Sequence, residues 1–225
     1  MAETKAKDQL MQQIVAGRTF EEQVDDIRKY GNHGVSSILR DRVLVGAGMP
    51  KPAETADNLI VFGCYLPFLM SDMLKDYMAI LDRLGISHTY LSKEYCCGLP
   101  MIENADGSID ENAMDVGHEF MSMNRDMAIE MGASRISYGC IWCAHLALKF
   151  FPDDTVVKHS YFLDLIVDGL KSVDLKVAPT VIGYYEGCHR RNGNFAPGVK
   201  LEWDNYREVL NNIIQKQKFC FLVLD

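Results

Sequence analysis

Three strand-like runs of this chain end in the same dipeptide: Gly63-Cys64, Gly139-Cys140 and Gly187-Cys188. In open α/β sheets, ligands bind beyond the carboxyl ends of the strands. Cysteines at three such ends can therefore meet on one sheet edge although they lie far apart in sequence. A glycine before each cysteine lets the backbone come close to a bulky group. The sequence between these points alternates as such a fold requires. An apolar run over 58–63 suits a buried strand, and helical spacing of apolar residues follows over 67–84, closed by Gly85. A strand is expected over 87–91 and a helix over 111–131. Then come strand 135–138, helix 143–151, strand 155–158, helix 162–170, strand 180–185 and helix 203–214. Strand and helix alternating through short connections imply right-handed crossovers. The expected fold is therefore α/β: a Rossmann-like, mainly parallel sheet with helices on both faces.

The first 57 residues read differently. Thr19-Phe20-Glu21-Glu22 offers an N-cap followed by acids, so a helix begins there. The stretch 30–50 is rich in glycine without strong periodicity and reads as an irregular arm. This gives an N-terminal helix and arm over 1–57 and a cysteine-rich domain over 58–225. A formal charge of -8 argues against a general nucleic-acid partner, because phosphate binding needs clustered Lys and Arg. No apolar run approaches the roughly 20 residues of a membrane span. The N-terminus shows no secretory signal, and seven cysteines is an odd number, so reduced thiols in a cytoplasmic setting are expected.

Five of those cysteines form one pattern: Cys64, 31 residues, the pair Cys96-Cys97 followed by Gly98, then Cys140-x2-Cys143. A Cys-x2-Cys step lets two thiolates converge on metal from a single turn. Adjacent cysteines both point inward only where the chain bends sharply, which Gly98 and Pro100 favour. Thiolates select zinc, copper(I) or iron–sulfur clusters over magnesium or calcium. Five sulfurs exceed the four that a tetrahedral zinc or a cubane cluster takes, and the compact ferredoxin ladder is absent.

This pattern resembles the cysteine-rich CCG domain found in the B- and D-subunits of heterodisulfide reductase. It is similar also to the iron–sulfur subunits of glycolate, lactate, glycerol-3-phosphate and some succinate dehydrogenases. The resemblance implies that Cys64, Cys96, Cys97, Cys140 and Cys143 hold one non-cubane 4Fe–4S cluster. It further implies an oxidoreductase subunit of heterodisulfide reductase type, passing electrons to a thiol/disulfide or quinone-linked acceptor. Its partners would be other redox subunits carrying ferredoxin-type iron–sulfur, flavin or haem centres. A relay subunit of one of those dehydrogenases is the alternative, and a zinc-stapled interaction module is the alternative of another class. The arm 29–32 and the segment 184–191 resemble family elements as well. The first motif is complete over 64–143, whereas the second, from about 180, is partial: 31 residues separate Cys188 from Cys220, and Phe221 stands where a paired cysteine would.

Beside Cys188, His189 and Arg190 are candidate catalytic residues, and Arg190 with Arg191 would suit an anion or a departing thiolate. Glu94 and Glu186 are candidate proton carriers. His145 reads as a helix residue rather than a ligand, Cys220 as a core thiol, and Trp142 as a shield or a subunit contact. Met114, Met121, Met123, Met127 and Met131 read as core or interface filler.

Overall fold

The computed structural model describes residues 18–32, 37–102, 110–111, 113–171, 173, 182–185, 201, 203–216 and 221–224. Its centre is a parallel sheet of β1 (Asn58–Val61), β2 (His88–Tyr90), β3 (Arg135–Tyr138) and β4 (Lys158–Tyr161), in the order β2-β1-β3-β4. Leu59 to Val61 of β1 and Phe62 just after it are buried, as in a strand covered on both faces. Leu59 and Val61 point into one core and Ile60 and Phe62 into another. The first core is filled from α6 (Met114–Glu130) and α7 (Ile141–Phe150), the second from α4 (Ser71–Arg83) and α8 (Phe162–Leu170). The expected α/β architecture with helices on both faces is the observed one.

Right-handed crossovers explain which helix covers which face. The chain steps outward from β1 to β2 through α4, then crosses back over β1 to reach β3 through α6. That reversal puts α6 and α7 on the face opposite α4. It also makes the gap between β1 and β3 the switch point of the sheet, where a crevice opens beyond the strand ends. The pairing of β1 with β3 runs in register from Asn58 with Arg135 to Val61 with Tyr138, and Gly139 N donates to Val61 O at 2.8 Å.

The helix expected over 67–84 is broken at Met70, giving α3 (Leu66–Leu69) and α4. Leu66 is held against Gly139, while α4 packs on the sheet through Leu74, Met78 and Leu81, and the chain turns between these two anchorages. The strand placed at 155–158 instead occupies Lys158–Tyr161. Asp154 accepts from Val156 N and Val157 N at 2.9 and 3.2 Å, which holds the apolar 155–157 run in a bend. The arm is not irregular throughout, because α2 (Ser37–Gly46) lies within it. Ahead of it, α1 (Phe20–Tyr30) starts on a capping box between Thr19 and Glu22, as its sequence indicates. The methionines of α6 are core filler: Met114 and Met121 are buried, and Met123, Met127 and Met131 pack against the cores. A short α5 (Leu99–Ile102), a separate parallel pair β5 (Ile182–Tyr185) and β6 (Phe221–Leu224), and α9 (Trp203–Lys216) complete the described elements.

One polar cluster links the sheet to the loop after α7. Asp154 is held by Arg125 and by His159 Nε2, while His159 Nδ1 meets the Tyr138 hydroxyl at 2.9 Å. Arg125 keeps the Asp154 carboxyl well below its ordinary value. Burial lowers His159 from 6.5, against the pull of Asp154. The unfolded chain therefore takes up the His159 proton before the folded chain does, so acid favours unfolding as pH falls through about 6.5. The depressed carboxyl adds a further loss below its ordinary 3.8. Urea unfolding of the wild type should show a midpoint that declines from pH 7 to pH 5. His159→Gln should flatten that decline, and an unchanged slope would disprove the assignment.

Candidate metal centre

Cys64 follows β1, Cys96 and Cys97 follow β2, and Cys140 and Cys143 follow β3, so all five stand at the carboxyl edge of the sheet around the switch point. They form a row in which each thiol acts on the ionisation of the next: Cys64 on Cys96, Cys96 on Cys97, Cys97 on Cys143, and Cys140 with Cys143. None is in a disulfide, and all but the half-buried Cys140 are buried.

Backbone geometry sets this row. Gly98, at φ 77°, provides the bend that turns both members of the Cys96-Cys97 pair inward. The following loop packs against α6 where Gly117 leaves room: a Cβ there would stand 3.0 Å from Cys97 O. Gly63 sits at φ 81°, and a Cβ on it would meet Cys140 Cβ at 3.0 Å and Cys143 Sγ at 3.2 Å. The glycine of the first Gly-Cys thus admits the cysteines of the second. Cys140 is the N-cap of α7.

The electrostatics follow from burial and from each thiol's place in the row. Cys96 is pushed well up by its hydrogen bond with Cys64, with burial adding to it. At Cys97 the bond with Cys143 pulls down, but the bond with Cys96, burial and charge on Cys96 together carry it up. Cys143 is raised by its bonds with Cys140 and Cys97, and Cys140 is lowered by accepting from Cys143. Ionisation is thus made easier at Cys140 and harder at Cys96, Cys97 and Cys143. Tyr65, 40% exposed beside the row, is pushed up to about 12 by burial and by charge on the neighbouring thiols.

This donor set fits a multi-iron group. It consists of soft ligands only, mostly removed from water, and metal binding is what would draw off their protons. Among the described residues, no three His, Cys, Asp or Glu side chains surround a single-ion position.

The structure also shows support that sequence reading missed. Asn124 of α6, fully buried, accepts from Tyr95 N and donates to Tyr95 O, both at 2.7 Å, which fixes the approach to the cysteine pair. Cys96 N donates to Gly31 O at 2.8 Å. Glu94, a candidate proton carrier by sequence, is instead a buried brace: its carboxylate accepts from Phe62 N at 3.0 Å and faces Arg40. The signal available was a polar residue at an apolar face of α6 and one arginine among several in the arm, neither distinctive alone. Trp142 is half-buried against the core, its ring 6.1 Å from that of the buried His145. Cys188, His189, Arg190, Arg191, Glu186 and Cys220 lie outside the described residues. No described helix is long and apolar enough to cross a membrane.

Comparison with known proteins agrees with the geometry. Residues 59–148, which include all five cysteines, match the family described as the cysteine-rich domain, CCG. Over 155 residues the chain is 27% identical to the B-subunit of fumarate reductase (CoM/CoB) from Methanothermobacter marburgensis, covering 67% of this chain and 28% of that protein. Over 173 residues it is 25% identical to the C-subunit of anaerobic glycerol-3-phosphate dehydrogenase from Escherichia coli, covering 72% of this chain and 41% of that protein. The chain therefore spans well under half the length of these relatives. No solved structure matches.

Gly63→Ala tests the close approach of the two Gly-Cys loops. A left-handed backbone costs a residue with a Cβ about 1–2 kcal/mol, and here the Cβ also presses on two cysteines. The variant should lose at least that much stability in denaturant titration of the reduced, metal-free protein. Wild-type stability would show that the loops are not held this close.

Proposed function

We propose that this chain, whose residues 59–148 are a cysteine-rich CCG domain, serves as the iron–sulfur electron-transfer subunit of a multi-subunit oxidoreductase. The observation that carries the reading is the gathering of five reduced cysteines at the switch point of a parallel sheet. Cys64, Cys96, Cys97, Cys140 and Cys143 would hold one non-cubane 4Fe–4S cluster. When bound, such a group takes up and releases electrons. The rest of the chemistry belongs to the protein. Leu99, Phe120 and Tyr138, all buried and packed in the same clusters as the cysteines, keep bulk water from the row. The amides of the first turn of α7 pull Cys140, and those of Gly98 and Leu99 pull Cys96 and Cys97, toward the charged form. Tyr65 leaves one exposed aromatic edge next to Cys64.

The finer reading is a subunit of the heterodisulfide reductase type, working on a thiol/disulfide couple together with partners that carry further redox centres. Similarity to a fumarate reductase whose name includes CoM/CoB supports that direction. Similarity to one of the chains of a glycerol-3-phosphate dehydrogenase supports a second reading, in which the cluster only relays electrons. Breaking a disulfide takes two electrons and a place for both thiolates. Cys188, His189 and Arg190 are our candidates for receiving the anionic sulfur, by sequence alone.

Protein purified without oxygen should carry about four irons with matching sulfide. Cys96→Ser and Cys97→Ser should each bleach or alter the visible spectrum, and Cys220→Ala should leave it unchanged. One zinc and no sulfide would end the redox reading. With a one-electron dye donor, the isolated chain should show negligible disulfide reduction, and activity should appear on adding redox partners. Rapid turnover by the isolated chain would favour a self-sufficient enzyme over a subunit.

A further inference from the structure

Arg40, on α2 of the arm, is fully buried although it carries a charge. Such a group persists only where ion pairing and hydrogen bonds replace its water. Its Nη1 donates to Asn32 Oδ1 and to Gly63 O, each at 3.3 Å, and its Nη2 stands 2.9 Å from Glu94 Oε1. Gly63 immediately precedes Cys64, and Glu94 comes two residues before Cys96. One guanidinium therefore ties together the two loops that deliver these cysteines. The arm grips the same place again through Gly31, whose carbonyl accepts from Cys96 N and whose missing side chain would stand 2.2 Å from Glu94 O. Arg40 Nε, buried as well, has no acceptor among the described residues. It is a spare cationic N–H at the junction of the Cys64 and Cys96 loops.

We propose that Arg40 is a positioning residue of the metal centre, clamping the Cys64 and Cys96 loops and raising the reduction potential of the group they hold. The clamp stands on the geometry alone; the effect on potential rests on the iron–sulfur reading. Positive charge and N–H donors near cluster sulfur favour the reduced form, and the Glu94 carboxylate offsets part of that charge.

The test uses Arg40→Gln, Arg40→Lys and Glu94→Gln, each read twice. In reduced, metal-free protein, alkylation of every cysteine is followed by mass spectrometry. Arg40→Gln should speed labelling of Cys64 and Cys96 several-fold and leave Cys140 and Cys143 at the wild-type rate. Unchanged rates, or an equal rise at all five, would overturn the clamp. In iron-loaded protein the midpoint potential should fall in Arg40→Gln and rise in Glu94→Gln, where the guanidinium loses its counter-charge. Shifts of one sign, or none, would overturn the electrostatic role. Should Arg40→Gln not fold, Arg40→Lys decides. It keeps the charge but not the fork, so Cys64 should label faster while the potential stays near wild type, and any other pairing counts against the proposal. Wild-type protein that takes up no iron would end the iron–sulfur reading, and the labelling would still judge the clamp.

Discussion

The contact on which the site depends is between β1 and β3. These strands are adjacent in the sheet yet separated in sequence by a complete excursion through α4, β2 and α6. Their ladder continues to Gly139 N on Val61 O, and beyond it Gly63 lies so close to Cys140 and Cys143 that a Cβ on it would crowd both. Without that pairing the cysteines have no common edge. With it, the Cys96-Cys97 loop needs only the bend at Gly98 and the gap at Gly117 to bridge the two.

Much of this was legible because it is written in short-range patterns. A buried parallel strand is an apolar run, a helix end is a glycine, and a strand-end ligand is a Gly-Cys. The thiol-rich edge followed from three such dipeptides, two of which the structure brings together. What the sequence concealed depends on partners far along the chain. Arg40 and Glu94 are 54 positions apart, and nothing local to either marks it for burial. Asn124 looks like an ordinary polar residue of an amphipathic helix until Tyr95 is laid beside it. The misplaced strand after α7 failed for a nearer reason. Thr155-Val156-Val157 has strong strand preference, but Asp154 captures two of its N–H groups and turns it aside.

The two halves of the site differ in how they are held. Cys140 and Cys143 ride on a helix start continuous with a central strand, a rigid mount. Cys64 and Cys96 sit on loops, and loops need bracing. The bracing comes from Asn124, Glu94, Arg40 and the backbone of Gly31, two of them supplied by the arm that precedes the sheet. Residues 18–49 thus belong to the working part of the molecule, although the family match begins only at residue 59. Functional geometry of this kind requires its supporting shell as much as its ligands.

The β1–β3 pairing also bears on how such a protein is made. Long-range parallel pairings close late, since loop entropy must be overcome before any contact rewards it. Until they close, the three cysteine loops are strangers in solution, each with at most two thiols and no joint hold on a multi-iron group. On the iron–sulfur reading, a nascent or damaged copy would be a poor trap for iron and a correctly folded one a good trap. The topology would then act as a proofreader that admits the costly inorganic cargo only to chains whose sheet has been assembled.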